Sequence, residues 1–332
     1  MHRSWLELQP HDADPLVAGA AGVRLVPEAD RRLHAPDRTL LLLDRGTPVA
    51  RCSCWWTTAP AAPGGRAGII GHYAAADPES GASVLSRACD LLRSHGCEIA
   101  VGPMDGTTWR RYRFIVDRGS EPAFFLEPDN PDDWPAHWAR AGFVPLAHYT
   151  SAVNDDLTRD DPRAGAAWRR LQDAGIRIRS LDPSRIPGEL HRIFALSLAA
   201  FGRNFMYSPI GEVEFTAQYT ALLPYVRPEL VLLAERDDTL AGFMLAVPDV
   251  LEARRSSRAD TVILKTIAVD PSMTGQGLGG VLMDQVQRTA GAMGFRRAIH
   301  ALMHEANPSR RISGRSAREF RRYALLSRPL TA

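Results

Sequence analysis

The run Thr274-Gly275-Gln276-Gly277-Leu278-Gly279-Gly280 narrows the possible folds of this chain most. It separates an apolar, β-branched stretch at 261–269 from an apolar stretch of helical period at 278–292. Its glycines let the backbone take positive φ and pass close to a ligand. A helix starting at 278 offers unpaired N–H groups and the positive end of its dipole. Strand, loop and helix together form a cradle for a phosphate or pyrophosphate.

Spacing separates the families that use this device. A Walker loop ends in Gly-Lys-Ser/Thr, and here Gly279-Gly280-Val281 stands instead. The G-x-G-x-x-G of a dinucleotide fold is met literally by Gly275, Gly277 and Gly280. Two things count against that reading. Asp270-Pro271-Ser272-Met273-Thr274 intervenes between strand and first glycine. The ribose-binding acid expected about 20 residues on is replaced by Phe295-Arg296-Arg297. A nicotinamide-dependent oxidoreductase therefore rests on glycine spacing alone.

Composition bounds the remaining classes. The 332 residues suit two domains or one large one. A hydrophobic fraction of 45% excludes a disordered chain. A net charge of +2 gives no field for gripping a polyanion, so nucleic acid is not expected as a partner. No apolar run reaches signal-peptide or membrane-span length, so no membrane partner and a cytoplasmic location are expected. Cys52, Cys54, Cys89 and Cys97 lack paired zinc spacing, so no metal is expected and the thiols read as free and buried. Lys265 is the only lysine; the other 39 basic residues are arginines.

A polar break at 154–162 divides the chain, and the expected domains are 1–160 and 161–332. The second reads β-α-α-β-β-β-α-β-α-β. The first echoes it. A strand at 68–76 ends in Asp77-Pro78, as the strand at 261–269 ends in Asp270-Pro271. A helix at 84–95 leads through Gly96 to a strand at 98–101, as the later helix leads through Gly294. Two copies of one αβ unit are expected. In the first, the strand-to-helix loop is four residues shorter and carries Glu79, which would repel a pyrophosphate. One phosphate-binding loop per chain follows.

The stretch Leu264-Lys265-Thr266-Ile267-Ala268-Val269-Asp270-Pro271, the x-x-G-x-G loop and the apolar helix resemble the acyl-CoA motif of the GNAT acyltransferase superfamily. The resemblance covers 176–330 well. The first half resembles a worn GNAT lobe, so the whole chain is similar to tandem-lobe bacterial GNAT proteins. The implied fold is α/β: two tandem lobes, each a mixed, mostly antiparallel sheet flanked by helices. The implied activity is transfer of an acyl group, acetyl first among candidates, from acyl-CoA to the amine of a small molecule by direct attack. Acyl-CoA would be a donor substrate, and the protein a monomer or homodimer. A catalytically silent CoA-binding sensor is the rival.

The resemblance also assigns residues. The thioester carbonyl would lie against the backbone of Ile267, Ala268 and Val269. The pyrophosphate would meet Thr274, Gly275, Gln276, Gly277, Leu278, Gly279 and Gly280. Asn307 sits where the family has an asparagine touching the pantetheine arm, and Arg310 heads an arginine-rich tail (Arg311, Arg315, Arg318, Arg321, Arg322) able to clamp phosphates. Two departures stand out. Thr274 replaces the family's usual Arg or Gln, and Gly314 and Arg315 occupy the region of the tyrosine that protonates the leaving thiolate. His300 and His304, four apart at a strand, share one face. His304 is the first candidate for the base, then Glu305 and His300. The loop after the lobe's first helix builds the acceptor pocket in this family, which points to Arg203, Asn204, Phe205 and Tyr207. Asp105, Trp109 and Phe125 of the first half are candidates to roof it.

Overall fold

The computed structural model describes residues 3–15, 22–159 and 161–330. The expected boundary at residue 160 falls outside them. The first half runs β1 (Arg3–Leu8), α1 (Glu28–His34), β2 (Arg38–Asp44), β3 (Thr47–Trp55), β4 (Ala67–Ala75), α2 (Pro78–Ser94), β5 (Ile99–Gly102), β6 (Phe114–Asp117), α3 (Trp134–Arg140) and β7 (Val144–Asn154). The second runs α4 (Pro162–Asp173), β8 (Arg177–Ser180), α5 (Ile186–Phe201), α6 (Glu212–Thr220), β9 (Val231–Arg236), β10 (Thr239–Pro248), α7 (Val250–Ser256), β11 (Thr261–Val269), α8 (Leu278–Ala292), β12 (Arg297–His304), α9 (Pro308–Ser313) and β13 (Arg318–Pro329).

The fold is α/β, a mixed sheet flanked by helices. Among the described residues one sheet of 13 strands runs β1-β2-β3-β4-β5-β13-β7-β12-β11-β10-β9-β8, with β6 beside β13. Two parallel pairs mark the repeated unit: β4 with β5 and β11 with β12. Helices α2 and α8 make the two crossovers. Their buried faces follow the helical period: Val84, Leu85, Ala88, Cys89 and Leu92 in α2, and Val281, Leu282, Val286 and Ala290 in α8.

The last strands are exchanged between the halves. β13, from the second half, pairs with β5 of the first; β7, from the first half, pairs with β12 of the second. β13 and β7 also pair with each other along most of their length. The side chains of β13 are apolar on both faces. Ala324 and Leu326 enter the core under α2, while Tyr323 and Leu325 join Trp55, Ile69 and Tyr149 on the opposite face. A single buried pair fastens the exchange: Arg321 Nη1 lies 2.7 Å from Glu127 Oε2, with both side chains at 1% exposure or less.

The two parallel pairs part in the same way but end differently. In the first half pairing stops at Ile69 opposite Val101. The chain then turns back through Pro103 and fills the opening: the Met104 N–H donates to the Ile70 carbonyl, and Asp105 Oδ1 accepts the His72 N–H. A Cβ on Gly71 would stand 2.0 Å from the Met104 carbonyl oxygen, so no side chain fits there. In the second half pairing stops at Leu264 opposite His300, and among the described residues no strand fills the opening beyond.

No helix among the described residues is long and apolar enough to cross a membrane. The four cysteines are free and buried. Among the described residues no group of three or more His, Cys, Asp or Glu side chains is placed to hold a metal.

Candidate acyl-transfer site

The glycine loop forms an exposed cup. Pro271–Met273 makes one 3₁₀ turn, capped by the Asp270 carboxylate, which accepts the N–H and the hydroxyl of Ser272. Gly275 and Gly277 then take φ of 82° and 91°, a region glycine enters without strain. Gly277 caps α8, whose first turn holds no acid. Among the described residues, the N–H groups of Gly275, Gly277, Leu278, Gly279 and Gly280 have no partner. A Cβ on Gly280 would meet nothing within 4 Å. The cup is thus an array of free donors at a helix N-terminus, suited to an anion. The first half has no such cup, because the Asp77 side chain accepts the Ser80 N–H and Glu79 lies in the first turn of α2.

Beside the cup the second-half strands open. Leu264 pairs with Ala246 and Thr266 with Leu245, so Lys265 is the extra residue of a β-bulge. A bulge bends its strand and re-aims a side chain. A second irregularity lies opposite. Between His300 and Met303, β12 slips against β7; Leu302 takes φ 58° and its N–H donates to Ser151 Oγ. The opening leads into a cavity of about 1350 Å³ walled by both halves. Trp109 to Arg113 and Leu126 to Asp129 come from the first half. Phe201, Arg203, Asn204, Phe205, Tyr207, Tyr219, Lys265 and His304 come from the second.

The expected site residues sort into three groups. Ile267 lines the cavity, and its Cδ1 lies 3.5 Å from where a Gly279 Cβ would stand, so cup and cavity adjoin. Ala268 is buried in the core on the side of α5 and α6, and only its backbone could serve a ligand. Arg203, Asn204, Phe205, Tyr207, Asp105, Trp109, His300, His304 and Asn307 all line the cavity. Asn307 Oδ1 is engaged, accepting the Ser309 N–H as the N-cap of α9. Trp109 Nε1–H donates to the Ser208 carbonyl and fixes the loop after α5 to the first half.

Three expected residues stand elsewhere. Glu305 is exposed and outside the cavity wall, its Oε1 accepting the His148 N–H, so it is not placed to act as a base there. Phe125 packs on Tyr225, while its neighbours Leu126 and Glu127 take the wall. Arg310 is spent on Glu319, at 2.7 Å. Three more of the tail behave alike: Arg315 pairs with Asp161, Arg318 with Glu121 and Asp155, and Arg321 with Glu127, while Arg311 and Arg322 are exposed. Carboxylates thus take four of the six arginines expected to form the clamp.

The two histidines differ in what they can do. His300 is buried, Nε2–H donates to Gln287 Oε1 at 3.1 Å, and burial pushes its pKa down to about 4. It is a neutral core group. His304 stacks on Phe205 and meets Tyr149 edge-on. Its Nδ1 accepts the Ala306 N–H at 3.0 Å. That bond puts the ring proton on Nε2, which is buried and has no partner. Burial lowers its pKa and keeps it neutral. His304 therefore offers the cavity a donor, where the sequence pattern suggested a base.

Two cavity residues escaped sequence reading. Arg113 lies between the rings of Tyr112 and Tyr149, at 3.9 and 4.2 Å from their centroids. Lys265, noticed in the sequence only for being alone, sits at the bulge. Its neighbours at 264–271 matched a motif that leaves position 265 unassigned.

Residues 193–312 match the Acetyltransferase (GNAT) family. A bacterial ceramide synthase of Caulobacter vibrioides is 28% identical over 226 residues, covering 66% of this chain and 58% of that protein. The match thus spans under two thirds of that relative's length. A GCN5-related N-acetyltransferase from Sphaerobacter thermophilus shares the fold at a TM-score of 0.50 and 13% identity, over 89% of this chain and 81% of the other. A GCN5-related glucosamine N-acetyltransferase region of a fungal β-N-acetylglucosaminidase aligns at a TM-score of 0.52 and 13% identity, over 88% of this chain and 33% of the other. At that identity the two structures speak for the fold alone.

Proposed function

We propose that the chain, whose residues 193–312 match the GNAT family, is an N-acyltransferase moving an acyl group from acyl-CoA to an amine. The observation that carries this reading is the open, bulged strand pair set between a cup of free N–H groups and a cavity. The second half would bind acyl-CoA, with its pyrophosphate on the cup at Gly275–Gly280. The first half would shape the acceptor pocket with Asp105, Trp109 and the wall beyond.

The chemistry follows from the groups present. A thioester laid along residues 267–269 would present its carbonyl to backbone left unpaired by the opening. A neutral amine in the cavity attacks that carbon. The C–S bond breaks and the thiolate takes a proton as the amide nitrogen loses one, so the proton balance closes. His304 Nε2–H and the Tyr207 hydroxyl are buried, unpartnered donors on residues that line the cavity, able to hydrogen-bond the leaving sulfur. His304→Ala is expected to lower kcat about 10²-fold with the acyl-CoA dissociation constant within twofold. Unchanged turnover would remove His304 from the mechanism.

A cavity of about 1350 Å³ is larger than acetyl alone requires. It has room for an apolar chain on the donor, the acceptor or both. The ceramide synthase relative, named for a product with a long-chain amide, supports that direction. The deciding experiment is calorimetric titration and thermal unfolding with CoA, acetyl-CoA and acyl-CoAs of rising chain length. One equivalent per chain is expected, because the first-half opening is plugged by Met104. Ligand at 100 times its dissociation constant adds about 2.7 kcal/mol of stability. A second equivalent would place a site in the first half. Binding without turnover on any amine would favour the sensor reading, and NADH binding in place of CoA would overturn both.

A further inference from the structure

Lys265 and Arg113 are two cations at one cavity, and neither pairs with a carboxylate among the described residues. Lys265 makes no hydrogen bond or ion pair among the described residues. Arg113 is 6% exposed; its Nη1 donates to the Leu302 carbonyl at 3.3 Å, its Nε has no partner, and no carboxylate pairs with it among the described residues. Both line the cavity, and Lys265 is pushed down to about 8, first by burial and then by the charge of Arg113.

The neighbouring acids do not compensate them. Glu127 is held by Arg321 and Tyr323, Asp129 by Arg118, and Asp105 Oδ1 by the His72 N–H. Arg110, also at the cavity, is paired with Glu214 at 2.7 Å. Burying a charge without a partner is unfavourable; of the other cavity-wall arginines Arg110 is paired and Arg111 and Arg203 are exposed to water, so the shielded pair Lys265 and Arg113 needs a cause.

The first half provides an internal control. His72 precedes Asp77 by five positions, as Lys265 precedes Asp270. It too sits at an irregularity of its strand, between Gly71 and Ala74. There the bulged side chain is satisfied inside the protein, by His34 at 2.7 Å and Ser53 at 3.0 Å. The same backbone device in the second half delivers an ammonium to open space.

We propose that Lys265 and Arg113 form an anion subsite for the acceptor, so that the amine acylated by this protein carries a carboxylate or phosphate near its nitrogen. This rests on the acyltransfer reading for the word acceptor, though the subsite itself does not need turnover. It is separate from the glycine cup, since Lys265 lies four strand residues, about 13 Å, before the end of β11 at Val269.

Binding to the full chain, saturated with CoA, tests it with two matched pairs. Phenylalanine against phenylalaninamide reads the carboxylate, and sphinganine 1-phosphate against sphinganine reads the phosphate. Wild-type protein is expected to bind at least one anionic member about tenfold or more tighter than its neutral partner. In Lys265→Met and Arg113→Gln that preference falls to about twofold or less. The melting temperature of Lys265→Met does not drop, because the substitution removes an unpartnered charge. Preference in the first pair alone names a carboxylate, in the second a phosphate. No preference in either pair, absence of binding included, overturns the subsite, as does a preference that survives Lys265→Met. If preference is absent while Lys265→Met slows acylation of a neutral amine, Lys265 serves the thioester instead and the subsite is overturned. If the anions bind but no amine is acylated, the subsite stands and the acyltransferase reading fails.

Discussion

Gly280→Asp raises the dissociation constant for acyl-CoA about 100-fold and leaves the melting temperature unchanged or slightly higher. The two effects have separate causes. Gly280 lies in the first turn of α8, in helical conformation, and a Cβ there meets nothing within 4 Å. Replacing glycine in a helix relieves up to about 1 kcal/mol of backbone entropy. An acid in the first turn adds about 0.3–1 kcal/mol through the helix dipole. For the protein alone the change is therefore neutral or favourable. For a bound pyrophosphate it is not, since the new carboxylate occupies the space before the free N–H groups and repels the anion. Losing two charge-assisted hydrogen bonds accounts for roughly that factor. Calorimetry with acyl-CoA and a thermal melt of the same sample check both halves. Unchanged affinity would mean that the phosphates lie somewhere other than the cup.

The largest effect on stability is expected at Glu127. Glu127→Ala destabilises the protein by about 3–5 kcal/mol, read by denaturant unfolding. Its Oε2 accepts from Arg321 Nη1 at 2.7 Å, its Oε1 from the Tyr323 hydroxyl, and Oε2 also from the Phe124 N–H. Burial pushes the carboxyl pKa up, and the Tyr323 hydroxyl and Arg321 pull against it. Removing the carboxylate leaves Arg321 buried with only the carbonyls of Arg118, Glu121 and Pro122. The damage falls on β13, the strand that joins the second half to the sheet of the first. Replacing both partners, with Arg321→Met and Glu127→Leu, should recover most of the loss, because no unpaired charge remains. Equal losses in single and double variants would mean that the pair's hydrogen bonds matter less than the shape of the site.

Local elements were legible in the sequence because they depend on local chemistry. The apolar periods of α2 and α8, the Asp-Pro strand ends and the helix stops Gly96 and Gly294 fall where the pattern put them. The short edge elements β1, β6 and α3 escaped, since each is only four to seven residues long and has little period to read. The last strand of the expected order, β13, is 12 residues long. Its outer part is rich in arginine, a polar signature that reads as loop until Asp155, Glu121 and Glu127 are seen opposite.

The candidate site divides along the same line. The glycine cup was readable because its shape depends on φ angles and free N–H groups within one segment. His304 shows the limit. Strand spacing brought it to the cavity, but the Ala306 N–H decides that its free nitrogen is a donor. Phe125 missed the cavity wall because the turn at Leu126, with φ 66°, presents the next residues instead.

The sequence by itself determined the α/β class, the two-fold repeat and the one glycine loop with free N–H groups, all of them written in neighbours a few positions apart. Only the tertiary structure decided which strands belong to which half, which arginines are free and which cations meet. Those outcomes turn on partners up to about 200 positions away, such as Arg321 with Glu127 and Arg318 with Glu121. A buried charge takes its meaning from what is packed against it, and that is fixed only when the sheet closes.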